Sequence, residues 1–120
     1  MTRYMLAVHT SRDDAPQSMT PEGVRRGYAQ VEALEGEMRA ADALVFSARL
    51  SEPGLATVVR SKGGKVRTTD GPYAEAKEAI GGFYIIETAT DAEARNWAAK
   101  TSRAIDMPIE VRSLWEPARS

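Results

Sequence analysis

The side chains best suited to acid–base chemistry lie in one short segment. Asp70, Glu75 and Glu78 place three carboxylates within nine residues. Glu75 and Glu78 would be neighbours on a helix, so the segment could supply a general acid and base beside a pocket. The alternative is structural: Asp70 accepts a backbone hydrogen bond at a turn, Lys77 neutralises one acid, and Glu78 is solvated. No spacing here matches a complete cation-binding loop, so the segment does not predict a metal site.

His9 is the single histidine of the chain. Imidazole is the side-chain type that exchanges protons near neutral pH, so His9 is a second candidate catalytic residue beside Asp70. Strand alternation places His9 on the same face as Met5 and Ala7. The alternative is a polar residue that closes a strand, because no fixed partner for His9 is visible in the sequence.

Four cationic side chains flank a glycine pair. Gly63-Gly64 predicts a two-residue hairpin turn, since both positions of such a turn favour a positive φ. Lys62 then opposes Lys65, and Arg60 opposes Arg67, on one face of the hairpin. An anionic ligand or an acidic partner would relieve this repulsion, as would mobile solvated side chains. Four cations without interleaved aromatic residues do not indicate nucleic-acid binding.

Composition excludes several classes of protein. The 120 residues are 42% hydrophobic and 28% charged, which predicts one globular domain over residues 1–116 with a tail at 117–120. The chain has no cysteine, which excludes disulfides, thiolate nucleophiles and cysteine-bound metals. A net charge of −1 gives no attraction to nucleic acid or to an anionic membrane. We expect a cytoplasmic protein, because the first apolar run is too short for a signal peptide or a membrane span. We also expect no cofactor.

Periodicity and turn signals predict six strands and two helices. The order is strand, helix, strand, inserted hairpin, strand, helix, strand. The strands are predicted at residues 4–8, 44–50, 57–62, 65–68, 82–87 and 109–115. Thr20 and Thr90 are the predicted helix N-caps. Without the hairpin this order is βαββαβ, which predicts an α+β, ferredoxin-like fold.

Two further sets of residues are assigned to the core. One is an amphipathic stripe on the first helix, and the other is the large aromatic side chains that do not line a cavity. The stripe comprises Val24, Tyr28, Val31, Leu34 and Met38, and the aromatic set comprises Tyr28, Tyr73, Tyr84, Trp97 and Trp115.

The segment after the hairpin has the chemistry of a turn. Asp70-Gly71-Pro72 predicts a tight turn, and Pro72 could begin one or two helical turns that end at Gly81-Gly82. The same two glycines would let the backbone pass close to a neighbour. The whole segment reads Asp70-Gly71-Pro72-Tyr73, Glu75-Ala76-Lys77-Glu78 and Gly81-Gly82-Phe83. It resembles the DGPF family of the YCII-related proteins, whose hallmark is Asp-Gly-Pro-Phe, Glu-Thr-Lys-Glu and Gly-Gly-Phe. Tyr73 and Ala76 depart from that pattern, and the resemblance extends over nearly the whole chain.

The resemblance implies a fold and a range of functions. The implied fold is a ferredoxin-like subunit that pairs into a dimeric α/β barrel. The first implied function is a small-molecule-binding module, because the chain resembles this family and has few catalytic side chains. DGPF genes often lie beside extracytoplasmic-function sigma factors, which implies a regulatory or accessory role. The alternative is an isomerase, lyase or dehalogenase that acts on a small anionic substrate, since the more distant chloromuconolactone dehalogenases are enzymes. A His–Asp dyad has been proposed in other YCII proteins, and its histidine lies in the first helix. The dyad cannot be carried over to this chain, because residues 24–41, in the predicted first helix, contain no histidine.

In the enzyme alternative, Asp70 and His9 would be the acid–base groups, and Arg60 and Arg67 would hold the anion. The full set of candidate ligand-binding residues is Arg60, Arg67, Tyr73, Glu75, Lys77 and Glu78.

The pattern of the two best strands predicts a homodimer. Residues 4–8 and 83–86 are apolar on both faces, whereas a sheet with one face in water alternates apolar and polar residues. The two helices of a ferredoxin-like unit cover one face. The inserted hairpin and the loop at residues 10–19 are too polar to cover the other face well. We therefore expect face-to-face packing of two sheets across a two-fold axis, with more than about 1,200 Å² buried.

Overall fold

A computed structural model of the chain describes residues 1–11, 20–73 and 78–117. Its elements follow the predicted order. They are β1 (Thr2–Ser11), α1 (Pro21–Ala40), β2 (Leu44–Arg49), a 3₁₀ turn (Pro53–Leu55), β3 (Thr57–Lys62), β4 (Lys65–Asp70), β5 (Glu78–Thr88), α2 (Asp91–Ile105) and β6 (Ile109–Ser113).

The main sheet is antiparallel and has four strands in the order β2-β5-β1-β6. The two central strands, β1 and β5, pair with each other, and each has one edge strand on its other side. Both helices connect strands of this sheet. They pack side by side on one of its faces and contact each other there. This arrangement confirms the predicted ferredoxin-like α+β fold.

Both helices begin where the N-cap residues predicted. Thr20 accepts a hydrogen bond from the Gly23 N–H at 3.0 Å, and Thr90 accepts one from the Glu93 N–H at 3.1 Å. The Glu93 carboxylate accepts from the N–H of Ala89 at 3.3 Å, one residue earlier than in a regular capping box. The caps therefore satisfy backbone donors that the first helical turns leave free.

The core lies between the helices and the inner face of the sheet. Leu6, Met38 and Ile86 are its largest fully buried apolar side chains. Tyr84 also points to this side, and its hydroxyl donates to Glu35 of α1 at 3.1 Å. Burial raises the pKa of Tyr84, and the negative charge of Glu35 raises it further, so this phenol stays protonated and joins sheet to helix.

The structure corrects part of the predicted core. Leu34 and Met38 are buried, but Tyr28 is 62% exposed and Val24 lies at the surface. Buried stripe positions are confined to the second half of α1, and a 3.6-residue period cannot show where along a helix the contact with the sheet begins. Trp115, predicted in the last strand and in the core, follows the end of β6 and is 86% exposed.

One of the two predicted roles of Gly81-Gly82 is wrong, and the other, a close approach of the backbone to a neighbour, is confirmed. These glycines lie inside β5 and do not end a helical turn. A Cβ atom on Gly82 would lie 3.0 Å from the carbonyl oxygen of Ala48, so glycine allows β2 and β5 to approach closely here. The short helix predicted from Pro72 falls largely on residues 74–77, outside the described residues.

The side of the main sheet away from the helices, here called the outer face, is apolar at its centre. Strand register places on it Met5, Ala7, Phe46, Ala48, Phe83 and Ile85. The rings of Phe46 and Phe83 lie 6.0 Å apart between centroids, and Phe46 is 57% exposed. An ion pair, Arg3–Glu87, and a hydrogen bond, His9–Glu110, lie toward opposite ends of this face.

The inserted hairpin forms a separate two-stranded sheet of β3 and β4. Its register pairs Lys62 with Lys65 and Arg60 with Arg67, which confirms the predicted turn and the four cations on one face. Gly63 and Gly64 have φ values of 60° and 80°, the left-handed region that glycine adopts without strain.

Candidate functional site

A cleft of about 470 Å³ lies at the end of the main sheet where the hairpin departs. We call it the His9 cleft. Apolar side chains form most of its wall. Its lining residues are His9, Leu50, Ser51, Glu52, Pro53, Ala56, Pro72, Tyr73, Ala79 and Ile80.

His9 reaches the cleft from the end of β1. The register between β1 and β5 shifts between Val8 and His9, and the His9 N–H donates to the carbonyl of Pro108 at 3.1 Å. In the side chain, Nε2 lies 3.0 Å from Oε1 of Glu110 on β6. Glu110 is not among the residues predicted from the sequence. In a ferredoxin-like fold the last strand pairs with the first, and that pairing brings Glu110 of β6 beside His9 of β1.

The two ends of the hairpin meet at the base of the cleft. The N–H of Gly71 donates to the carbonyl of Ala56 at 2.7 Å. A Cβ atom on Gly71 would lie 3.0 Å from both Cβ and the carbonyl oxygen of Ala56. Glycine at this position therefore permits the close contact that brings Pro72 and Tyr73 to the cleft wall.

Replacing Gly71 with alanine is expected to destabilise the protein by about 1–3 kcal/mol, because backbone atoms must move apart to admit the new methyl group. Chemical denaturation measures this loss. Gly54→Ala is the matched control, since nothing lies within 4 Å of a Cβ atom built at Gly54. Equal stability of the two variants would contradict the packing described for Gly71.

Tyr73 connects the cleft to the basic face of the hairpin. Its largely exposed ring lies 5.6 Å from the guanidinium carbon of Arg60, which is within range of a cation–π contact. Arg67 lies directly across the hairpin from Arg60. Of the candidate ligand-binding residues, Tyr73 lines the cleft, Arg60 adjoins it, and Arg67 extends the same cationic surface.

The carboxylates singled out from the sequence are less closely tied to the cleft. Asp70 ends β4, is exposed, and pairs across the hairpin with Thr57. It is not among the described cleft residues, and the described partner of His9 is Glu110. Glu75 and Lys77 lie outside the described residues, as does the side chain of Glu78. Roles for these residues stay predictions.

The arrangement suits a small molecule with an apolar body and one polar group. Leu50, Pro53 and Ile80 offer apolar contacts, while His9 and the Tyr73 hydroxyl offer hydrogen bonds. Within residues 1–11, 20–73 and 78–117, no group of three or more metal-ligating side chains occurs. Neither described helix is long and apolar enough to cross a membrane.

The sheet order and the placement of the helices define a ferredoxin-like α+β protein with a cleft at one end of its strands. Residues 2–116 match the model of the YCII-related domain, and the chain belongs to that family.

One similar protein is "Uncharacterized protein R00369" of Rhizobium meliloti (strain 1021). It is 40% identical over 57 residues, which cover 48% of this chain and 46% of the relative. The match thus spans about half the length of either protein.

Proposed function

We propose that this YCII-related domain binds a small organic acid in the His9 cleft. The observation that carries the proposal is the meeting of His9, at the end of β1, with Tyr73 of the Asp-Gly-Pro-Tyr segment around one apolar space. In sequence these two residues are separated by α1 and by the strands β2, β3 and β4. Such convergence of polar groups on an apolar cleft is typical of ligand sites.

The charges around the cleft favour a monoacid. Arg60 stacks beside Tyr73 at the rim and can attract a carboxylate. Glu52 adds a negative charge to the wall, which disfavours ligands with two or more negative charges. The apolar residues between them fit a short aliphatic or aromatic body.

The proposal also includes an oligomeric state and a biological role. We propose a homodimer formed through the outer face, supported by the exposed Phe46 and its apolar neighbours. A regulatory or accessory role, including a link to an extracytoplasmic-function sigma factor, rests on the resemblance to DGPF proteins and stays a prediction.

A thermal-shift screen of short aliphatic and aromatic monocarboxylic acids tests binding. An acid at one hundred times its dissociation constant should stabilise the native state by about 2.7 kcal/mol and raise Tm by about 10 °C. We expect the shift to shrink in Tyr73→Ala and Arg60→Gln. Lys65→Gln, which removes a cation near the hairpin turn, is the matched control and should keep it.

The outcomes of this screen separate the parts of the proposal. A library in which no acid raises Tm would overturn binding of this class. An acid that stabilises Arg60→Gln as much as the unaltered protein would leave binding intact and remove Arg60 from the site.

The pairing of His9 with Glu110 favours a second candidate function, an enzyme that moves a proton. When the Nε2–H donates to Glu110, Nδ1 is left without a proton and can accept one from a ligand. A carboxylate that orients a histidine in this way is a recurring feature of general-base catalysis. In this candidate function the carboxylate beside His9 is Glu110, whereas the sequence predicted Asp70 as the second acid–base group.

Deuterium exchange tests this candidate without knowledge of the reaction. An acid that binds is incubated with the protein in D₂O, and loss of its C–H signal next to the carboxylate is followed by NMR. Exchange that disappears in His9→Gln and falls in Glu110→Gln would support proton abstraction. Binding without any exchange would favour the binding module over the enzyme.

A further inference from the structure

The hairpin at residues 57–70, here called the arm, projects from the body of the protein. Every residue of β4 is exposed, and in β3 only Val58 is partly covered. The Cα radius of gyration is 16.9 Å, against about 14 Å for a compact chain of this length. A lone two-stranded hairpin is marginally stable in water, so the arm lacks the support that a folded neighbour would give.

The two faces of the arm differ in character. One face carries Arg60, Lys62, Lys65 and Arg67. The opposite face is largely uncharged, and its Val59 and Val66 are 62% and 69% exposed. Exposed β-branched residues on a pleated surface are suited to packing against another protein.

Charge is divided unequally between the arm and the body. Residues 57–70 hold four cations and one carboxylate, for a net charge of +3. The whole chain carries −1, so the remaining residues together carry −4. Two copies of this chain are therefore attracted when the arm of one approaches the body of the other, and the attraction offsets the repulsion between the opposed cations.

The root of the arm is continuous with the outer face. Ala56 and Gly71 close the root of the arm beside the His9 cleft. Ile80 lines the same cleft, and it pairs in register with His9 at one end of the outer face. A second copy that covers the outer face would come within reach of the arm.

We propose that the arm docks on the body of a second copy, with its Val59 and Val66 face in contact. This inference rests on the proposed homodimer and adds a second contact to it. The valine face carries no cation, and its one charged residue is Asp70 at the root of the arm. This favours a protein partner over nucleic acid, which would contact the cationic face.

Paramagnetic labelling tests the docking directly, because the native chain has no cysteine. Thr69→Cys, on the cationic face of the arm and away from the proposed contact, is labelled with a nitroxide and mixed with unlabelled ¹⁵N protein after dissociation and refolding. Signal loss in the ¹⁵N copy then reports contacts between copies. Ala99→Cys on α2 is the matched control and should cause little broadening, because the helices lie opposite the outer face.

Light scattering on the same sample separates the outcomes. A dimer mass with broadening from Thr69→Cys that falls on body residues of the ¹⁵N copy supports the docked arm. A dimer mass without such broadening overturns the docked arm and leaves the outer-face dimer standing. A monomer mass overturns both.

Discussion

Phe46→Asp is expected to dissociate the proposed dimer into monomers. Phe46 is 57% exposed in the single chain and, on the edge strand β2, packs beside Phe83 on the outer face. An unpaired charge buried in an interface costs several kcal/mol, and two-fold symmetry places two such charges in each dimer. The dissociation constant should therefore rise at least about a thousandfold, as measured by sedimentation equilibrium or light scattering.

Tyr28→Asp provides the control for that experiment. Tyr28 is an aromatic residue of similar exposure on α1, on the opposite side of the sheet from the outer face. Its replacement should leave the dimer intact. Dissociation by both variants, or by neither, would contradict an interface on the outer face.

Ile86→Ala is expected to cause a large loss of stability. Ile86 has no exposed surface and packs with Leu6 and Met38 between the sheet and the helices. Truncating a buried isoleucine removes favourable contacts and leaves a cavity, at a cost of about 2–5 kcal/mol. Small domains are stable by only about 5–15 kcal/mol, so urea denaturation should show a much lower midpoint.

A surface position on the edge strand gives the comparison for Ile86. Val45 lies on β2 and is exposed, so Val45→Ala should cost less than about 1 kcal/mol. If Ile86→Ala lowered the free energy of unfolding by less than about 1 kcal/mol, the described core would not be what holds the sheet and helices together.

Local signals predicted most of the fold. Thr20 and Thr90 marked both helix starts because a cap depends on residues only three positions apart. Gly63-Gly64 set the hairpin register for the same reason. The exposure of Tyr28 and Trp115 could not be seen in this way, because it depends on how far the sheet extends beneath each element.

The candidate site was harder to predict than the fold. His9 and Glu110 are 101 residues apart in sequence and meet only because β6 pairs beside β1. The sequence predicts His9 and Tyr73 as candidate site residues, but it does not show that both line the same cleft. That placement depends on the contact between Ala56 and Gly71 at the base of the arm.

Binding in the His9 cleft is tested most directly by ¹H–¹⁵N chemical-shift mapping with a monocarboxylic acid that raises Tm. The account predicts saturable shifts concentrated at the backbone amides of His9 on β1, Ala56 after the 3₁₀ turn, and Ala79 and Ile80 on β5, all of which line this cleft. Saturable shifts confined to other surfaces, such as the groove between α1 and α2, with these four amides unmoved, would contradict it.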